Sequence, residues 1–270
     1  MIPEPMIPTR VMDIATDVTH QSPRMTTRPK LRENSPMATI SGTLYLLGGE
    51  EAGNLEIGQE LLRGRTGVDL AVLPTASAFM EPERAVLEIG EWLRPLGADV
   101  EGLMVSSRSD AELDEFAQRL QSAEIGYLTD GSAMHLRTTL KATAVFDALI
   151  AMIERGATVV ASGSAASVLC DPMIDPRGGA PTVGLGPIRA FTVVPHREDD
   201  EDASEEKLLR TLQLLPGSQP ALVLDAGAGV ICHADGTYGA IGNGEVRVFR
   251  DAALVPEGLK SLGPWREPPS

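Results

Sequence analysis

Four stretches of small residues, each at the end of an apolar run, carry most of the groups that could do chemistry. They are Gly48-Gly49, Pro74-Thr75-Ala76-Ser77, Asp130-Gly131-Ser132 and Ser162-Gly163-Ser164-Ala165-Ala166. The last is the most informative. An apolar run, Thr158–Ala161, leads straight into it, and helix-competent Ala165–Leu169 follows. A serine on such a strand-to-helix turn has its hydroxyl pushed out of the sheet edge, and the next backbone N–H is free to hold an oxyanion. Ser164 has Ser162 and Ala166 two positions to either side, where the G-x-S-x-G pattern has glycines. The same serine would also make a good N-cap, and the turn by itself leaves both roles open. A nucleophile further needs a base. Of the four histidines, His20 lies near the N-terminus, His135 in a helical pattern and His233 among strand residues. His196 follows the strand-like Phe191–Val194 at a loop edge, where an imidazole could meet a serine.

The elements that must position these groups alternate between strand and helix patterns. Strands are expected over Thr43–Leu47, Val68–Leu73, Val100–Val105, Ile125–Leu128 and Thr158–Ala161. Helices are expected over Leu55–Arg63, Glu81–Leu96, Asp110–Ser122, from Ser132 through Leu140, and over Asp147–Arg155. Short, non-alternating apolar strands separated by helices indicate a parallel sheet covered on both faces. In such sheets ligands gather at the carboxyl ends of the strands, where the four small-residue turns fall. Beyond Thr192 the pattern changes to closely spaced strands, Ala221–Leu224, Gly229–His233, Thr237–Ile241 and Glu245–Phe249, read as a small antiparallel C-terminal annex. The organisation expected is a leader over 1–40, an α/β domain over 41–250 and a C-terminal tail over 251–270. The leader holds six of the twenty prolines and no apolar period.

Charge limits the partners. The 270 residues carry 38 acidic against 23 basic side chains, a net −15. A duplex-binding surface needs clustered cations, so nucleic acid is not expected as a partner, and anionic membrane surfaces are disfavoured for the same reason. The excess is uneven, since Glu198–Glu206 (EDDEDASEE) holds seven acids and no base. This run is either a solvated loop or a local field favouring a cationic substrate group. No apolar run reaches the length of a membrane span, and no secretory signal opens the chain. Cys170 and Cys232 are not spaced as a zinc site or a disulfide framework. They are expected to be buried thiols in a cytoplasmic protein, with no metal and no cofactor.

Together these residues resemble the cyanophycinase and aspartyl dipeptidase (dipeptidase E) family of serine peptidases, over about Gly42 to Phe249. Thr43–Gly49 is similar to that family's first strand and Gly-Gly turn, and Val72–Ser77 to its second strand end. Tyr127-Leu128-Thr129-Asp130-Gly131-Ser132-Ala133 falls where the family has an aromatic strand followed by Thr-Gly-Gly-Asn/Asp-Gln. Ser164–Ile174 resembles its nucleophile segment, Gly184–Ile188 its Gly-Leu-Gly-Leu-Leu, Val194-Pro195-His196 its histidine strand end, and Leu224–Ala228 its Ile-Asp-Glu-x-Thr.

The resemblance implies a three-layer, glutamine-amidotransferase-like (flavodoxin-like) α/β fold and a serine hydrolase acting on small aspartyl peptides. Ser164 would be the nucleophile and His196 the base, with the N–H groups of Gly131 and Ala165 holding the oxyanion; a homodimer is also implied. Several positions depart from the family. The turn at Asp130 loses a glycine and the Gln, the Thr before the nucleophile is Gly163, and the Gly after it is Ala166. The family's acid just before Gly-Leu-Gly is missing, since Gly178–Val183 holds no carboxylate, so the acid of a triad falls to Asp225, at a strand end, with Asp171 and Asp175 as alternatives. A dinucleotide reading of Gly184-Leu185-Gly186 fails at Arg189, and an amidotransferase would need a thiol where Ser164 stands. Two functions are therefore expected in turn: a serine peptidase, or an impaired relative that binds a peptide or metabolite in the same cleft.

Overall fold

The structure is a computed structural model that describes residues 42–196 and 205–267, with His196 placed by its backbone. The proline-rich leader, the acidic run as far as Ser204 and the last three residues lie outside the described residues. The strands are β1 (Thr43–Leu47), β2 (Val68–Leu73), β3 (Ala98–Gly102), β4 (Ile125–Leu128), β5 (Thr158–Ser162), β6 (Met173–Ile174), β7 (Pro181–Thr182), β8 (Thr192–His196), β9 (Ala221–Asp225), β10 (Ala228–Cys232), β11 (Tyr238–Gly242), β12 (Val246–Arg250) and β13 (Ala253–Leu254). The helices are α1 (Leu55–Leu62), α2 (Pro82–Leu93), α3 (Arg108–Ala111), α4 (Asp114–Ser122), α5 (Ala133–Leu140), α6 (Ala144–Glu154), α7 (Ser164–Val168) and α8 (Glu205–Leu214).

Seven strands form the central sheet in the order β11-β10-β1-β5-β4-β2-β3. The five from β1 to β3 are parallel, while β10 and β11 extend the edge antiparallel. Because successive strand side chains point to opposite faces, a sheet covered on both sides needs continuous apolar strands. Tyr45, Leu47, Leu70, Val72 and Tyr127 meet Ile57 and Leu61 of α1 and Ile89 and Leu93 of α2 on one face. Leu44, Leu46, Leu73, Leu128 and Val159 meet Leu120, Leu136 and Leu149 of α4, α5 and α6 on the other. Each such fully buried aliphatic side chain contributes about 1.5–3 kcal/mol. This is the expected three-layer α/β fold.

Three details differ from the sequence reading. The C-terminal strands do not form one annex: β10 and β11 join the central sheet, while β9, β12 and β13 sit in a second sheet of order β13-β12-β9-β8, with β8 and β9 parallel. The helix expected over 110–122 is broken. Ser107 caps the single turn of α3 through a reciprocal bond pattern with Asp110, and a fresh helix starts at Asp114. The acidic run does not end in a loop, since Glu205 and Glu206 form the first turn of α8, where acidic side chains suit the helix dipole. The stretch after residue 250 packs onto the domain through β13, paired with β12, and through Trp265, which is 1% exposed.

Candidate active site

The carboxyl ends of β1, β5, β4 and β2 lie side by side, so the small-residue turns that follow them meet at one edge of the sheet. Leu47 pairs with Ser162 and Leu128 with Ala161, which sets the Gly48-Gly49 turn, the Ser162–Ser164 turn and the Thr129–Ser132 turn next to one another. The Thr129–Ser132 turn is clamped to the turn after β2. The Ser77 hydroxyl donates to the Asp130 carbonyl at 2.7 Å, and Ser132 N–H donates to the Ala76 carbonyl at 2.7 Å.

At the end of β5 the chain reverses through Gly163, at φ 51° and ψ −118°, a conformation closed to residues with a Cβ at ordinary energies. The strained position of this elbow is therefore Gly163, and Ser164 is the first residue of α7. The hydroxyl of Ser164 lies against the neighbouring turn. Its Oγ accepts from Gly131 N–H at 3.1 Å and donates to the Gly131 carbonyl at 2.8 Å.

The N–H groups that converge here are those of Gly131 and Ser164. Both donate to Oδ1 of Asp130, at 2.7 and 2.8 Å. Beside the Gly131 N–H converges that of Ser164, because the strain falls on Gly163; the N–H of Ala165, expected from the sequence as the second oxyanion donor, lies one residue further along α7. Ala165 is fully buried in the first turn of α7, where N–H groups have no intrahelical acceptor. A Cβ built on Gly163 would stand 2.5 Å from Asp130 Oδ1, so the aspartate carboxylate fills the space into which an elbow side chain would project.

Beneath the turn lies an acid that the sequence reading passed over. Glu51 follows the Gly-Gly turn and is 3% exposed; its Oε1 accepts a hydrogen bond from the Tyr127 hydroxyl. Its Oε2 has no hydrogen-bond partner among the described residues. Burial pushes the Glu51 carboxyl above its ordinary range, an effect eased by the hydroxyls of Tyr127 and Ser162. Burial, with the Glu51 carboxyl next to it, raises the Tyr127 phenol well above its ordinary value. The sequence signal for Glu51 was its place in the acidic pair Glu50-Glu51 that follows a glycine turn at a strand end. Asp130 was visible too, but only as a lost glycine.

His196 ends β8 and is the register partner of Asp225, at the end of β9. That pair of strand ends is carried to the site by backbone contact. Gly227 N–H donates to the Gly49 carbonyl at 2.9 Å, and Gly48 lies so close to the Asp225 carbonyl that a Cβ there would collide with it. Asp225 Oδ1 is held by Arg247 at 2.7 Å, in a pair whose carboxylate is 14% exposed. Of the alternative acids, Asp175 is engaged by Arg177, whose hydrogen bonds take it down to about 2. Asp171 accepts a long bond from Gly184 N–H at 3.4 Å. His135 lies on α5, with Nε2 2.9 Å from the Ser106 carbonyl, and His233 closes a turn with Thr237. The thiols of Cys170 and Cys232 are free and buried, and burial pushes Cys170 up to about 12. No helix among the described residues is long and apolar enough to cross a membrane.

Comparison with known proteins places this geometry. By structure the chain is similar to a peptidase from an acI-B1 Actinobacterium, at 20% identity and a TM-score of 0.70, covering 81% of this chain and 94% of that one. It is also similar to a putative peptidase E protein from Listeria monocytogenes EGD-e, at 16% identity and a TM-score of 0.55, covering 77% and 98% of the two chains. At these identities the likeness speaks for the fold. No curated protein matches the chain by sequence. The family model of peptidase family S51 matches residues 44–237, which include both the Ser164 elbow and the His196 strand end. The expected kinship with peptidase E-like proteins holds, and the chain belongs to peptidase family S51, as a serine hydrolase of the peptidase class.

Proposed function

We propose that the chain hydrolyses small, aspartyl-type peptides by attack of Ser164 Oγ on an amide carbonyl. His196 takes the serine proton and delivers it to the leaving amine; water then releases the acyl group. Gly131 N–H is one oxyanion donor and Ala165 N–H the other. Asp225, next to His196 in the β8–β9 register, steadies the imidazolium, while Arg247 holds its Oδ1. The observation that carries this reading is the hydrogen-bonded contact of Ser164 Oγ with Gly131 at the ends of the central strands. The test is cleavage of Asp-Xaa and β-Asp-Arg dipeptides followed by mass spectrometry. Ser164→Ala and His196→Ala are each expected to lower turnover by about 10³-fold or more. Turnover that survives Ser164→Ala contradicts the assignment.

A second reading, binding of a peptide or metabolite without turnover, is favoured by one specific observation. The strained elbow residue is Gly163, and the Asp130 carboxylate occupies both N–H groups that converge there. On that reading the dipeptides bind and none is cleaved.

A further inference from the structure

The turn after β1 is strained. Glu50 has φ 56°, in the left-handed region that a residue with a Cβ rarely enters, directly after Gly49 at φ 101°. The turn is also pinned on both flanks. Gly48 N–H donates to the Ala228 carbonyl at 2.8 Å, and Asn54 N–H donates to the Glu51 carbonyl at 2.8 Å. The result is an acid turned inward: Glu50 is exposed, while Glu51 is buried against Tyr127. Backbone strain held in place by its surroundings is a pointer to function.

The hydrogen bond from the Tyr127 hydroxyl to Glu51 Oε1 runs across the strand that leads to Ser164. In the sheet β5 lies between β1 and β4; Glu51 follows β1, and Tyr127 stands on β4. Tyr127 pairs with Val160, so these side chains share a face, and Ser162, the next but one along β5, points to that face as well. The bond therefore straps the ends of β1 and β4 together over Ser162, whose hydroxyl eases the burial of both partners. Ser162 is the next but one before Ser164, and β4 runs from Tyr127 directly into the turn that holds Gly131. These are the two strand ends that bring Ser164 Oγ to 3.1 Å from the Gly131 nitrogen. An apolar pair would fill the space under the turn at less cost, but only a hydrogen bond fixes a direction.

We propose that Glu51 is a positioning residue of the active site: its hydrogen bond with Tyr127, drawn over β5, sets the distance between Ser164 Oγ and the Gly131 N–H. This deepens the reading above and rests on the elbow being the catalytic site. Glu51 makes no bond in the reaction and acts through Tyr127 and the strand ends. Slackening the strap lets the two turns drift, and a misplacement of about 1 Å costs about 100-fold in rate.

The test uses the full chain and four variants. Glu51→Gln keeps an acceptor of the same reach for the Tyr127 hydroxyl. Glu51→Leu and Tyr127→Phe each remove one end of the strap, and the fourth variant combines them. Turnover of Asp-Xaa dipeptides is measured well below every melting temperature. In Glu51→Leu and Tyr127→Phe, kcat is expected to fall about 10- to 100-fold with KM within about twofold, and the double variant should be no slower than the slower single one. Glu51→Gln should stay within about threefold of wild type. Full kcat in either single variant, losses that multiply in the double variant, or a Glu51→Gln loss equal to that of Glu51→Leu overturns the proposal.

Amide hydrogen exchange followed by NMR supplies a readout that needs no turnover. Relative to the amides of Leu70 and Val72 in β2, those of Gly131 and Ser164 should exchange about tenfold faster or more in Tyr127→Phe, and at the wild-type ratio in Glu51→Gln. Equal acceleration of the elbow and β2 amides marks a loss of stability alone and also overturns the proposal. If the wild type cleaves no dipeptide, the hydrolytic reading fails, and exchange alone judges the strap. If Glu51→Leu does not fold, Tyr127→Phe against Glu51→Gln carries both measurements.

Discussion

Gly163→Ala is the sharpest perturbation the elbow offers, because two separate costs meet at one atom. The first is conformational: φ 51° with ψ −118° disfavours any residue with a Cβ by about 1–3 kcal/mol. The second is the collision with Asp130, whose Oδ1 lies 2.5 Å from the added carbon. That carboxylate must leave the N–H groups of Gly131 and Ser164, and hydrogen bonds to a charged group contribute about 1.5–3 kcal/mol each. In an Asp130→Ala background the second cost is already gone, and Gly163→Ala should cost only the first. A double-mutant cycle by urea unfolding at pH 7 should therefore give a coupling of about 3 kcal/mol, at the upper end of what contacting residues show. The double variant should be far more stable than the sum of the single losses. Additivity within about 0.5 kcal/mol would refute the idea that the Asp130 side chain occupies the elbow's space.

Other outcomes follow from the buried groups. Glu51 is more protonated in the folded than in the unfolded chain, so its contribution is fully present below the ordinary carboxyl range and is lost as pH rises through the raised folded value. Relative to Glu51→Gln, wild-type stability from urea melts should fall as pH rises above about 4.5, by up to about 1.4 kcal/mol per pH unit; a pH-independent difference goes against a raised Glu51 carboxyl. Tyr127→Phe leaves the buried carboxyl without its hydroxyl donor and should lower stability by about 1–3 kcal/mol, measured in the same melts. Cys170 and Cys232 should react with a thiol reagent such as DTNB only after denaturation, because both are buried and burial keeps them protonated; rapid labelling of the folded chain would contradict this placement.

The layers were legible because burial on both faces leaves a plain mark. Ile125–Leu128 and Thr158–Ala161 read as short runs without alternation, and the strands sit there to within a residue. Sheet membership was less visible: nothing in Gly229–His233 tells whether it pairs with β1 or with β9, since edge pairing depends on partners distant in sequence. The break between α3 and α4 was hidden because Leu113, Phe116, Ala117 and Leu120 read as one helical face, although Leu113 is only the N-cap of α4, while the Ser107–Asp110 cap acts locally. At the site, Ser164 and His196 stood out by residue type and by their strand ends. What composition could not reveal was which residue takes the strained conformation. A positive φ is open to any glycine, and only the folded turn puts it on Gly163 and swings the Asp130 carboxylate onto the neighbouring N–H groups. Glu51 was obscured for a related reason. An acid after a glycine turn is usually solvated, and its burial depends on Tyr127 rising from the adjacent sheet face.

The most direct measurement is labelling with a serine-directed aryl phosphonate, followed by peptide mapping. With Ser164 as the nucleophile, the wild type gains one phosphonyl group on the peptide containing Ser164, and Ser164→Ala gains none. Equal labelling of the two proteins, or modification mapped to another serine, would contradict the assignment of Ser164.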